Sequence, residues 1–184
     1  MTMATITSGN NTALHDAVKR RDIRRMKLAL ERGADPSFCE IPKRTILHEI
    51  CELTGDDVEF YDAFKEYCHD NHCTVDLRNK KDEFGNSQLH SALFCRNFGL
   101  ARELIDEGTD KNIQNNSGQT PLHVYCSLGN DETDLVVQIL LSRDTTRVDL
   151  NIVDVQNKTP LDVAIENNMI KVTELLLEYN LNQR

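Results

Sequence analysis

Four of the six histidines, His15, His48, His90 and His123, end short tetrads of related sequence: Thr12-Ala-Leu-His15, Thr45-Ile-Leu-His48, Ser87-Gln-Leu-His90 and Thr120-Pro-Leu-His123. An imidazole titrates near neutral pH and suits general acid–base work. A catalytic base, however, needs one partner in one cleft, and a copy in tetrad after tetrad points to scaffolding. The other two histidines fall in Cys68-His69-Asp70-Asn71-His72-Cys73. On a helix, Cys68 with His72 and His69 with Cys73 would stand at i, i+4 on adjoining faces, offering the nitrogen and sulfur donors that zinc takes. Yet structural zinc sites draw ligand pairs from separated segments, and a single helix cannot easily surround a tetrahedral ion. The spacing therefore predicts a helix end with exposed histidine and semi-buried cysteine, and no metal. There is no Walker phosphate loop, nucleophile elbow, kinase set or zinc-protease helix, and no cysteine has neighbours that mark a nucleophile. Neither an enzyme nor a cofactor is expected.

The elements that position these residues must be built from 184 residues, 39% hydrophobic and 28% charged, with a net charge of −9. That length suits a domain burying roughly 70% of what its unfolded chain exposes. The acidic balance argues against nucleic acid as a partner. No run approaches the roughly 18–20 apolar residues of a bilayer span, and Met1 to Asn10 has neither a basic start nor an apolar core. A monomer in the cytoplasm or nucleus is expected, away from membranes, with its six cysteines as free thiols.

With Thr159-Pro-Leu-Asp162 added, the five tetrads begin 33, 42, 33 and 39 residues apart. After each comes an apolar pattern at helical spacing, then an ending such as Gly33-Ala-Asp35 or Gly108-Thr-Asp110. Each unit is predicted to start a short helix at its Thr or Ser, whose hydroxyl caps free N–H groups, with proline at the first helical position in two of the five. A second helix follows and glycine ends it. A two-helix unit of this size cannot bury its apolar face alone, so neighbours must stack on it.

The tetrads, the 33-residue spacing and the Gly-Ala-Asp endings resemble the ankyrin repeat over residues 10–182. The resemblance implies an all-α solenoid of helix-turn-helix units with extended β-hairpin-like loops. Residues 1–10 are read as an N-terminal tail and 11–184 as one domain of five repeats, at 11–43, 44–85, 86–118, 119–157 and 158–184. It also implies that the tetrad histidines hydrogen-bond within and between units. The polar second helix of repeat 1 reads as an outer cap, and Leu161 to Asn168, with Asp162 in the histidine position, is similar to the family's C-terminal caps. The stack is expected to be complete. Cys51 and Cys126 share a repeat position with Val18, Leu93 and Ile165, where apolar residues are predicted to fill the core.

The resemblance further implies a non-enzymatic module that binds another protein on its concave face, as adaptor, scaffold or inhibitor. More narrowly, it is similar to small viral IκB-like proteins that inhibit Rel-type transcription factors; substrate recruitment to a ubiquitin ligase is the other reading. Repeat alignment places Ile41, Leu53, Phe84, Phe94, Leu128 and Val155 in a stripe on that face, with Lys19 and Arg20 at one end. Clustered apolar side chains at the surface mark an interface, unless neighbouring repeats bury some of them. Repeat 2 carries extra chain around Gly55 to Thr74, predicting a longer second helix whose Phe60, Tyr61, Phe64 and Tyr67 form a satellite core. Residues 19–32 carry net +5 and residues 49–76 net −8, read as two solvated faces of opposite sign or, alternatively, as a bipolar surface that steers a charged partner.

Overall fold

The structure, a computed structural model, describes residues 3–38, 44–53, 58–70, 79–141 and 147–182, with side chains from residue 9 onward. Its helices come in pairs: α1 (Met3–Lys19) with α2 (Ile23–Glu31), α3 (Ile46–Cys51) with α4 (Glu59–Asp70), α5 (Gln88–Phe94) with α6 (Phe98–Asp106), α7 (Pro121–Ser127) with α8 (Asp134–Leu141), and α9 (Pro160–Glu166) with α10 (Ile170–Leu181). The first helices α1, α3, α5, α7 and α9 pack in sequence as one layer, and the second helices form the other. Among the described residues there is no strand. The fold is the all-α stack that the period predicts.

The first helices α3, α5, α7 and α9 have only six or seven residues, too short to persist alone, so packing must hold them. Thr45, Ser87, Thr120 and Thr159 stand just before them in extended conformation, with ψ between 163° and 170°. Pro121 and Pro160 then occupy the first turn, where no N–H is needed. Ile46, Leu89 and Leu122 are fully buried one or two residues later. The second helices have their own caps: Asp22 Oδ1 accepts from Arg25 N at 2.9 Å and Asn97 Oδ1 from Leu100 N at 3.2 Å. Gly33 and Gly108, at φ +85° and +80°, follow α2 and α6 as predicted.

Repeat 1 departs from the expected start. Helix α1 begins at Met3, so residues 3–10 are helical instead of a tail, and Thr12 lies inside the helix instead of capping it. Residues 3–11 contain no proline and none of the Asp/Asn-x-x-Gly/Asn turns that precede the later tetrads. Nothing there bends the chain before Thr12.

Helix α4 has 12 residues against nine in α2 and α6, as the extra chain predicts. Phe60, Tyr61 and Phe64 line its buried face, and half-buried Tyr67 packs against the same core, so the aromatics join the main core instead of forming a separate one. Long side chains tie α4 to α6. Tyr61 OH donates to Glu107 Oε2 at 2.6 Å, and Lys65 Nζ lies 3.0 Å from Glu107 Oε1 and 3.2 Å from Glu103 Oε2.

The second correction concerns Ile165. Its repeat equivalents Val18, Cys51, Leu93 and Cys126 are all at most 1% exposed, whereas Ile165 is 54% exposed. The position is apolar in all five units, but in the fifth no following unit among the described residues covers it.

Gln88 breaks the repeat rule in another way. It stands where repeats 4 and 5 place proline, it is buried, and both its amide oxygen and nitrogen lack a hydrogen-bond partner. Unmade hydrogen bonds of this kind destabilise by about 1–3 kcal/mol. Ser87 already has φ −80° and ψ 170°, which a following proline favours. Gln88→Pro is therefore expected to stabilise the fold by about 1 kcal/mol, after the loss of some packing. A urea midpoint at or below that of the parent would contradict this.

Candidate partner-binding face and its histidine ladder

The loops between units turn on one pattern. In the turn from Asp82 to Asn86, Asp82 N donates to Asn86 O at 2.9 Å, while Asp82 Oδ1 accepts from Phe84 N at 2.9 Å and Asn86 N at 2.8 Å. Asn115 and Asp154 do the same for the next two tips. Adjacent tips are joined through the backbone, Asn116 N to Phe84 O at 2.9 Å and Val155 N to Ser117 O at 3.0 Å. Gly85 is required here on two counts: its φ is +76°, and a Cβ would fall 2.8 Å from Asn116 N.

Each tip is tied to the preceding unit by a tetrad histidine. His90 Nδ1 accepts from Ser87 N at 3.2 Å and lies 2.8 Å from Ser87 Oγ, while its Nε2 reaches Gln119 O at 2.9 Å. His48 and His123 repeat this, with Nε2 3.0 Å from Asn86 O and 3.0 Å from Lys158 O. A carbonyl can only accept, so Nε2 carries the proton and Nδ1 is the acceptor, which fixes the neutral tautomer. Burial, which disfavours the charged ring, pushes His90 down to about 4 and holds His48 and His123 below the usual histidine range. Each of these three rings thus bonds both within its own unit and to the next.

The ends of the ladder differ. His15 lies within α1, its Nδ1 2.9 Å from Glu49 Oε1 of the next unit, close but not aligned as a hydrogen bond. At the far end Asp162 takes the histidine's place, accepting on Oδ2 from Thr159 N at 2.8 Å and Thr159 Oγ1 at 2.7 Å. Those donors hold its carboxyl below the ordinary range.

The expected stripe divides. Val155 and Phe84 stand on successive sides of the tip ladder at 74% and 61% exposure, and Phe94 is exposed at the end of α5. Leu53 and Leu128 are instead half-buried and pack on the core. Neighbouring units explain this: Asn97 Nδ2 donates to Leu53 O at 3.1 Å and Arg96 Nη2 to Leu128 O at 3.0 Å, drawing both helix ends inward. Lys19 and Arg20 are exposed. Ile41 lies outside the described residues.

Two ion pairs on this face escaped the sequence reading. Arg44 pairs with Glu52, and Lys158 Nζ pairs with Glu166 Oε2 at 2.6 Å. In both the carboxylate follows the cation by eight residues, from the residue before the tetrad to the end of the first helix. The equivalent positions in repeats 3 and 4 are Asn86 with Phe94 and Gln119 with Ser127. The two pairs thus flank a stretch without charge at these positions, with Phe94 in it. The signal was present as a recurrent spacing.

Cys68 is half-buried and His69 exposed on α4, its Nδ1 3.3 Å from Asp70 Oδ1; His72 and Cys73 lie outside the described residues. Among the described residues no group of three or more His, Cys, Asp or Glu side chains is placed to hold a metal ion. Burial raises the thiols of Cys51 and Cys126, the latter to about 12, which keeps both protonated. Among the described residues no helix is long and apolar enough to cross a membrane.

A family profile described as "Ankyrin repeats (3 copies)" matches residues 89–184. The chain is 30% identical over 169 residues, 90% of its length, to the human SH3 and multiple ankyrin repeat domains protein 2. The chain belongs to the ankyrin-repeat family. It is also 34% identical over 104 residues to a putative ankyrin repeat protein of Rickettsia felis, and 36% identical over 88 residues to the mouse neurogenic locus notch homolog protein 1. These alignments cover 56% and 48% of the chain. The chain spans 8%, 33% and 3% of the three relatives' lengths, so each likeness concerns part of a longer protein. Ankyrin repeats form a non-enzymatic module that generally mediates protein–protein interaction.

Proposed function

We propose that this ankyrin-repeat stack binds another protein on the face formed by its loop tips and first-helix ends, with Phe84 and Phe94 as the anchors. The observation that carries the reading is the exposure of both aromatic rings on the side of the stack where the Arg44–Glu52 and Lys158–Glu166 pairs stand at either end. Exposed aromatic groups of this kind dominate interface energies, and their loss typically weakens binding by about 2 kcal/mol or more. Val155 extends the contact, and Lys19 and Arg20 offer charge at the first repeat.

The double variant Phe84→Ala, Phe94→Ala is expected to lose at least about tenfold in affinity for the captured partner while its thermal melt stays close to the parent's. Equal capture by parent and variant would refute the assignment. Pull-down from lysate with mass spectrometry, always paired with the variant, also reads the mode of action. A Rel-type factor lost by the variant supports an IκB-like inhibitor, ligase subunits support substrate recruitment, and a different partner supports an adaptor or scaffold.

A further inference from the structure

Interior units of a repeat stack are apolar where they meet their neighbours, and a unit that ends in solvent is polar on its outer side. The two ends of this stack treat that rule differently. In repeat 1, Arg25 takes the position that Leu100 and Val172 fill with buried apolar side chains. In repeat 5 the outer side keeps the interior pattern. Ile165 is exposed where four equivalents are buried, and Leu177 is 46% exposed where its equivalents Leu30 and Ile105 are at most 7% exposed. Ile170, Leu177 and Leu181, at i, i+7 and i+11, continue the same stripe along α10, all exposed. A groove of about 330 Å³ between α9 and α10, lined by Ile165, Met169 and Ile170, marks where a following helix pair would seat.

The opposite end offers the matching surface. Between α1 and α2 lies a groove of about 370 Å³ whose apolar lining includes Ala17, Leu28 and Ala29 and whose charged lining is three arginines, Arg20, Arg25 and Arg32, against one carboxylate, Asp16, leaving it net basic. Leu28 is exposed there. At the far end Glu174 and Glu178, with Lys171 one turn before them and all three exposed, flank the apolar stripe of α10 and leave it net acidic. One face is apolar with acidic flanks, the other apolar with basic flanks, so they complement each other in charge as well as in the stacking direction.

We propose that a second copy of this chain docks on the C-terminal face, seating α9 and α10 of one copy against α1 and α2 of the next in the manner of two consecutive repeats. The contact departs from the monomer expected from composition. It is heterologous, so it builds open end-to-end chains instead of a closed dimer. Asp162 fits the arrangement. A histidine there would need a tip carbonyl from the following unit, and the next copy presents none among its described residues, because residues 3–11 are helix. An acceptor-only carboxylate leaves no donor stranded at the junction.

Sedimentation velocity on the 184-residue chain over a wide concentration range tests this. The weight-average mass is expected to rise with concentration and to fall back in high salt, which screens the charged rims. Leu177→Lys is expected to abolish the rise without moving the thermal melt. Arg25→Glu and Glu174→Arg are each expected to weaken association alone and, mixed, to restore it, because the reversed faces then match each other and the unaltered faces match as in the parent. A single-chain mass at every concentration overturns the proposal. So does association that survives Leu177→Lys, or association indifferent to both charge reversals.

Discussion

Replacing His90 with leucine is expected to lower the unfolding free energy by about 3–5 kcal/mol, a large share of the roughly 5–15 kcal/mol available to a domain. The ring is fully buried and serves two units at once. Leucine would strand the Ser87 N–H and leave the Gln119 carbonyl, in the tip that Asn115 organises, with only its bond from Asn115 N. The loss should therefore appear both within repeat 3 and at its junction with repeat 4. Urea denaturation measures it, with His69→Leu as the control, since that ring is exposed on α4 and is expected to matter by less than about 0.5 kcal/mol. Equal midpoints for the two variants would mean that the ladder does not hold the stack.

The same bonds make the protein acid-sensitive over a definite window. His48, His90 and His123 are held neutral in the fold, while in the unfolded chain each takes up a proton near pH 6.5. Below that pH the unfolded state binds more protons than the native one, so stability falls as the pH drops and is fully present only above the unfolded value. The decline for His90 runs down to about 4, where the folded ring itself protonates. His90 alone contributes on the order of 3 kcal/mol across the window. Asp162 sits outside it, because its carboxyl is held below the ordinary range and goes on accepting from Thr159 as the histidines fail. Thermal melts between pH 7.5 and 4 should show the fall, and His90→Leu should flatten it. A melt unchanged over that span in the parent would rule the account out.

Much of this is legible in the sequence. The caps at Thr45, Ser87, Thr120 and Thr159 follow from local chemistry, and the burial of the tetrad histidines follows from their recurrence. What sequence could not supply was the neighbour. Thr12 has the same tetrad as Thr120, yet it lies within a helix because the chain before it has no turn to stop α1. Ile165 matches Leu93 in type and position, yet one is exposed and the other fully buried, since burial there is a property of the following unit. Leu53 and Leu128 read as surface residues until Asn97 and Arg96 are seen to bond their carbonyls. Phe84, Phe94 and Val155 were placed by repeat alignment alone, because a tip and a helix end at these positions have nothing to fold beneath.

The ladder of imidazoles also has a polarity. Each Nε2–H points from its own unit to the carbonyl of the next: His48 to Asn86, His90 to Gln119, His123 to Lys158. Peeling repeat 5 away leaves a donor facing outward on His123. Among the described residues, peeling repeat 1 away removes no such bond, and it frees the buried carboxylate of Glu49, one oxygen of which lacks a partner, to meet water. On these bonds fraying costs less from the first repeat than from the last, and the stack behaves like a zipper with a preferred opening end.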